Sequence, residues 1–242
     1  MISIAPIPDH IRNLDSSFIC LEFLPRRKGT AWFCGSLDQQ HYFITASHCL
    51  SRPVDPYRKN DLVLTKGSLM NDPTKEIMFK SAFSDPVADI AILEPVNPAN
   101  PNYNVDPVDE TAVGLKPIKV RKIDHPARDI RCYARSVEGT WLGGKCTVTL
   151  AESPRYMMFL DNGKDLMPNQ IPERVAMGSC GGCVVDEDGC AIGIVLETDY
   201  KTFIAGSLIW QSMPIWFLPV LENHQNLTNK VRAKYQVVPK RA

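Results

Sequence analysis

The chain has few of the signals that carry a protein into or across a membrane. No uninterrupted apolar run reaches the roughly 18 residues that a span requires. The richest stretch, from Ile209 to Leu221, is broken by Gln211, Ser212, Pro214 and Pro219. Met1-Ile2-Ser3-Ile4-Ala5-Pro6 has no basic region followed by an apolar stretch and a small-residue cleavage site, so no secretory leader is read there. An excess of one charge is also missing. The 27 Lys and Arg equal the 27 Asp and Glu, which excludes a whole-molecule attraction to nucleic acid or anionic lipid. Solenoid-period repeats and low-complexity segments are absent. Helix signals are scarce, the best lying from about Pro214 to Asn223, where proline can occupy a first turn.

What the sequence has in quantity is short strand-like runs. Ala31-Trp32-Phe33-Cys34 and His41-Tyr42-Phe43-Ile44-Thr45 are aromatic and β-branched, with a polar hairpin connection at Ser36 to Gln40. Asp61 to Thr65, Glu76 to Lys80 and Asp89 to Leu93 continue the pattern between Asn, Asp, Pro and Gly punctuation. Further runs are Pro117 to Ile123, Arg131 to Val137, Lys145 to Leu150, Tyr156 to Leu160, Cys183 to Leu196 and Thr202 to Trp210. Asp186-Glu187-Asp188-Gly189, set between Val184-Val185 and Ala191 to Val195, signals a tight hairpin. From Glu94 to Gly114 the prolines 95, 98, 101 and 107 sit among Asn and Asp, a composition that reads as a connector unable to form regular sheet. The expected organisation is all-β: one barrel over residues 1–95, a linker over 96–115, and a second barrel over 116–242.

Three segments carry chemistry. In Phe43-Ile44-Thr45-Ala46-Ser47-His48-Cys49 a buried strand feeds a small-residue turn that presents His48, the side chain suited to proton transfer near neutral pH. In Ala88-Asp89-Ile90-Ala91-Ile92-Leu93 an Asp stands at the mouth of a buried strand, placed to orient an imidazole and stabilise its charged form. Asp85 competes for that role, but the following Pro86 marks it as a turn residue. In Gly178-Ser179-Cys180-Gly181-Gly182 glycines flank a thiol, permitting a sharp turn that exposes a nucleophile and aims amides at one oxyanion. The amides of Gly178 and Cys180 are the expected oxyanion donors.

These blocks resemble the signature segments of the trypsin-like, chymotrypsin-fold peptidases: Thr-Ala-x-His-Cys, Asp-Ile-Ala-x-Leu and Gly-x-nucleophile-Gly-Gly, in the family's order. Phe33-Cys34-Gly35-Ser36-Leu37 resembles the strand before the histidine hairpin, and Ile192-Gly193-Ile194-Val195 the strand lining the cleft. The resemblance implies two six-stranded antiparallel β-barrels of the chymotrypsin type with a short C-terminal helix. It also implies a catalytic set of His48, Asp89 and Cys180. Cysteine in place of serine is similar to the polyprotein-processing proteases of positive-strand RNA viruses, and implies an endopeptidase working through a thioester on polypeptide substrates. A shift of the nucleophile to Ser179 would break the family's spacing. Ser179 also stands where trypsin-like zymogens keep the Asp that pairs with a new amino terminus, so activation of that kind is not expected.

By the same resemblance Arg174, Val195 and Leu196 line the substrate pocket. No acidic residue stands at its base, which disfavours a preference for Lys or Arg. No histidine stands on the cleft strand, so a preference for Gln is not supported. Cys34 and Cys49 match two family cysteines and are expected side by side. Cys183 and Cys190 read as small core residues, and the 8 cysteines, without a leader, as reduced thiols in a cytoplasmic chain. His10, His41, His125 and His224 lie outside any motif. No metal or organic cofactor is expected. The basic stretch from Lys116 to Arg135 allows weak RNA binding as an addition. The alternative function is an inactive relative of the same fold that serves as a protein-interaction module.

Overall fold

The computed structural model describes residues 7–24, 27–37, 40–50, 64–97, 100–104, 115–123, 126–135, 139, 141–149, 157–161, 179–199 and 203–222. Seven strands build the N-terminal part: β1 (Phe18–Leu24), β2 (Arg27–Leu37), β3 (Gln40–Thr45), β4 (Leu64–Leu69), β5 (Asp72–Asp85), β6 (Ile90–Asn97) and β7 (Asn100–Asn104). They form one antiparallel sheet in the order β3-β2-β1-β4-β5-β6-β7, with β3 also paired to β6. Six more strands follow: β8 (Ala127–Arg135), β9 (Trp141–Thr149), β10 (Met157–Asp161), β11 (Cys183–Asp186), β12 (Ala191–Asp199) and β13 (Phe203–Leu208). These close into a barrel, β10-β13-β12-β11-β8-β9.

One of the two expected six-stranded barrels is therefore present as such, while the N-terminal part is a seven-stranded sheet. The seventh strand comes from the proline-rich segment that was expected to form no sheet. Along β6, residues 91–93 pair with β3, and the later residues Val96 and Asn97 pair with β7 instead. β7 thus continues the edge where β3 ends, and an edge strand tolerates the proline at 101 because only one of its sides carries a ladder. Residues 117–123, expected as a strand, form only an isolated bridge between Val120 and Ala191. Pro117 has no amide hydrogen to offer, and the segment divides its bonds between the two parts. Ile118 N–H donates to Phe33 O, while Arg121 N–H donates to Ala191 O.

The runs rich in branched and aromatic residues are the ones that become buried. Trp32, Phe33, Phe43, Ile44, Ile90, Ala91, Ile92 and Leu93 are closed to solvent, each large side chain contributing about 1.5–3 kcal/mol by leaving water. One core cluster spans both parts, joining these residues to Tyr133, Cys183, Val185 and Ile194. A second fills the barrel with Cys132, Ala134, Cys146, Val148, Val184, Ile192, Val195 and Leu208. Along β11 the alternation is visible: Val184 enters the barrel, while Cys183 and Val185 face the shared core, as a period of two requires. Asp15 fastens the chain's first segment to the barrel, accepting from Arg135 Nε at 2.6 Å and from Trp141 Nε1 at 2.8 Å. The expected C-terminal helix is a short one, Leu218–Glu222, entered through a 3-10 turn at Ile215–Phe217. Asp9–Arg12 adds a helical turn that the sequence did not signal.

Candidate active site

β3 is buried between β2 and β6 and ends at Thr45. The chain then makes a 3-10 turn, Ser47–Cys49, which leaves Ser47 and Cys49 buried and turns His48 outward, its side chain 42% exposed. At the same end of the β3–β6 ladder, where Thr45 pairs with Ala91, β5 turns into β6. Asp85 caps that turn, its Oδ1 accepting from the amides of Val87 at 2.8 Å and Ala88 at 3.1 Å. This is the turn role that Pro86 signalled. Asp89 follows with φ +54, a left-handed conformation that Asp adopts more readily than most residues. It directs the carboxylate back at the histidine turn. His48 Nδ1–H donates to Oδ2 at 2.7 Å and His48 N–H to Oδ1 at 2.9 Å, while Ser47 N–H donates to the Asp89 carbonyl at 3.2 Å.

The Cys180 turn is built across the two parts. Gly182 N–H donates to Ser179 O at 3.0 Å, and Gly181 has φ +86. These are the marks of a type II turn with Cys180 and Gly181 at its centre, which requires glycine in the second place. The β12 side holds the turn through Gly181 N–H to Val195 O at 2.7 Å and Val195 N–H to Gly182 O at 2.8 Å. From the other side, Thr30 N–H of β2 donates to Cys180 O at 2.8 Å. A Cβ on Gly181 would stand 2.3 Å from both Thr30 O and Thr45 Oγ1, which are themselves bonded at 2.8 Å. Only glycine fits in this contact.

The sequence places these groups far apart, and the fold brings them together. With Nδ1 committed to Asp89, the thiols of Cys180 and Cys49 are the other groups that act on the His48 ring. The bond to Asp89, followed by those to Cys180 and Cys49, pushes the His48 pKa up to about 12. The ring is an imidazolium at neutral pH. Cys180 Sγ also lies 3.3 Å from the carbonyl oxygen of Leu196. Among the described residues no acceptor takes the Cys180 amide, which leaves that N–H available to an oxyanion. Such an arrangement can deliver a sulfur nucleophile, a proton for a leaving amine, and a backbone donor for developing negative charge.

Other expected residues fall less simply. Arg174 and Gly178 lie outside the described residues, as do His125 and His224. Val195 serves the site by its backbone alone, because its side chain is fully buried in the barrel. Leu196 is half-buried beside Cys180. His10 hydrogen-bonds the Glu187 carbonyl, and His41 pairs with Ser36 Oγ and packs edge-on against Phe33, so both are engaged structurally. In the basic stretch, Arg121 is bound by Asp186 and Asp188 and Arg135 by Asp15. Among the described residues no group of three or more His, Cys, Asp or Glu is placed to hold a metal ion, and no helix is long and apolar enough to cross a membrane.

The expected pairing of Cys34 with Cys49 is corrected. β2 meets the active-site turns at Thr30, and Cys34 lies four residues further along the strand. The register puts Cys34 beside the Tyr42–Phe43 stretch of β3 rather than at the histidine turn. The Cys34 thiol instead donates to Tyr42 O at 3.1 Å, and that of Cys49 to Cys180 O at 3.4 Å. Both are free thiols. Sequence reasoning gives Cys49 a partner by resemblance and so misses its place beside Cys180. It also misses Thr45, whose signal is the threonine of the Thr-Ala-Ser-His-Cys block itself, and Thr30, which no motif marks.

The fold is chymotrypsin-like: a closed barrel and a second sheet, with the His–Asp pair on one and the candidate nucleophile on the other. No family model matches the chain, and no curated protein matches it. Among solved structures, the serine endoprotease from Yersinia pestis is similar, with a TM-score of 0.53 and 13% sequence identity. The likeness covers 84% of this chain and 63% of that one, so this chain spans less than two thirds of that protein's length. At this identity the likeness is one of fold.

Proposed function

We propose that the chain is a cysteine endopeptidase with Cys180 as nucleophile, His48 as proton donor and acceptor, and Asp89 as the group that orients and charges the imidazole. One observation carries the reading: His48 is bonded to the Asp89 carboxylate through Nδ1, and Thr30 N–H of the same sheet holds the Cys180 turn at its carbonyl, with Cys180 among the groups that act on the ring. The Cys180 sulfur attacks as the thiolate, the nucleophilic form of a cysteine. As the substrate carbonyl becomes tetrahedral, the Cys180 amide supports the oxyanion. His48 then gives its proton to the departing amine. The thioester left on Cys180 is hydrolysed by water, with His48 now taking the proton. Asp89 holds the ring at the correct nitrogen throughout. The substrate is a polypeptide, and side-chain and backbone groups carry every step.

Acylation tests this. The chain is mixed with an activated ester and its adducts are mapped by mass spectrometry. The proposal expects one adduct, a hydroxylamine-labile thioester on Cys180 that disappears in Cys180→Ala and forms slowly in His48→Ala. An adduct on Ser179, or acylation spread over all the cysteines at equal rates, overturns it.

A further inference from the structure

We propose that Cys49 is a resolving thiol for Cys180, and that a hydroperoxide converts the pair into a reversible disulfide that shuts the site. This rests on the reading of Cys180 as the active nucleophile, and adds to it a site of oxidative modification. Cys49 has no disulfide partner at Cys34, and it lies at the centre of the site. Its Sγ is 3.4 Å from the carbonyl oxygen of Cys180, hence within about 6 Å of the Cys180 Cα given standard backbone dimensions. Both thiols act on the His48 ring electrostatically. The two differ in access. Cys180 is partly open to solvent, whereas Cys49 is closed to it. An oxidant therefore reaches Cys180 first, and Cys49 is reached from within the molecule by the sulfur of Cys180. Bond closure requires the Cys180 thiol to leave the Leu196 carbonyl and turn about its Cα–Cβ bond toward Cys49.

The chemistry balances with hydrogen peroxide as oxidant. The Cys180 thiolate attacks one peroxide oxygen, an S–O bond forms, the O–O bond breaks, and the departing hydroxide takes a proton from His48 to become water. Cys180 is now a sulfenic acid. Cys49 sulfur attacks Cys180 sulfur, its proton passing to His48. The S–O bond breaks and hydroxide leaves as water on receiving that proton. Two thiols have lost two electrons to one peroxide. A dithiol reductant reverses the step by exchange. Burial keeps Cys49 in the thiol form, its pKa raised despite the neighbouring His48, so it stays protonated until the sulfenic acid forms.

The test uses the full chain, treated with hydrogen peroxide and then with dithiothreitol. Peptide mapping gives the cross-links and iodoacetamide labelling reports on Cys180. The expected result in the unmodified sequence is a Cys49–Cys180 cross-linked peptide, with labelling of Cys180 lost on oxidation and restored by reductant. In Cys49→Ser, compared with its own reduced state, oxidation proceeds to sulfinic acid and less than about a tenth of the labelling returns. Cross-link mapping in the unmodified chain stands independently of how well that variant folds. Sulfinic acid on Cys180 with Cys49 left reduced, or a cross-link from Cys180 to another cysteine, overturns the inference. Failure of the underlying reading is separate: before any oxidant is added, Cys180 would then label no faster than the other cysteines.

Discussion

In the N-terminal sheet, His48 and Asp89 stand on adjoining strand ends and bind each other through side chain and backbone together. In the C-terminal barrel, Cys180 stands on a turn whose carbonyl is held by Thr30 and whose glycine rests on Thr30 and Thr45, all from the opposite part. The first arrangement is complete within one sheet. The second exists only when the two parts are docked. The His48–Asp89 pair is thus a local property of this fold, and the position of Cys180 is a property of the junction.

That contrast predicts which changes damage what. His48→Ala removes the proton carrier, and acylation of Cys180 should fall by about 100- to 10,000-fold, read by the ester assay, while the denaturation midpoint moves little. Gly181→Ala attacks the junction. A left-handed alanine with its Cβ set 2.3 Å from two oxygens should cost about 3 kcal/mol or more, seen as an earlier urea midpoint together with loss of selective Cys180 labelling. A midpoint that stays in place would show that the turn is not clamped as described. Asp89→Asn leaves the junction intact and should slow acylation about tenfold, with the sheet still folded by circular dichroism. Thr45→Val breaks only the bond to Thr30 O and should cost about 1 kcal/mol, the smallest effect of the set.

Much of this was legible in the sequence because the chemistry sits where pattern changes abruptly. His48 and Asp89 each adjoin a continuous apolar run, and Cys180 lies among glycines. Barrel strands such as β11 and β12 announced themselves by an Asp-Glu-Asp-Gly turn between branched residues. What was not legible depends on register. Nothing in the local composition tells that Thr30, and not Cys34, lies level with the histidine turn, since a strand's side chains repeat every two residues along its whole length. The pairing of Trp32 with Ile44 fixes that alignment, and with it the identity of the thiol beside Cys180. β7 was missed for a similar reason: its proline is acceptable only because the strand lies at an edge.

Electrostatics sharpen the local half of the contrast. His48 holds its proton up to about 12 when folded, against 6.5 for the ordinary side chain. The pair with Asp89 therefore favours the folded state in full below pH 6.5, and this contribution declines as pH rises from 6.5 through about 12. Ring resonances of His48 in an NMR titration should stay at their protonated positions well above pH 6.5. In Asp89→Asn, which removes the largest cause of the shift, they should move back toward the ordinary range. A wild-type ring that titrates near 6.5 would contradict the bonded pair.

The most direct test of the meeting between barrel and sheet is the labelling rate of each cysteine by iodoacetamide at mildly acidic pH, where unassisted thiols react slowly. The account predicts that Cys180 reacts well ahead of the other seven, and that His48→Ala brings it down to their level. Uniform slow labelling of all the cysteines, unchanged by removal of His48, would contradict it.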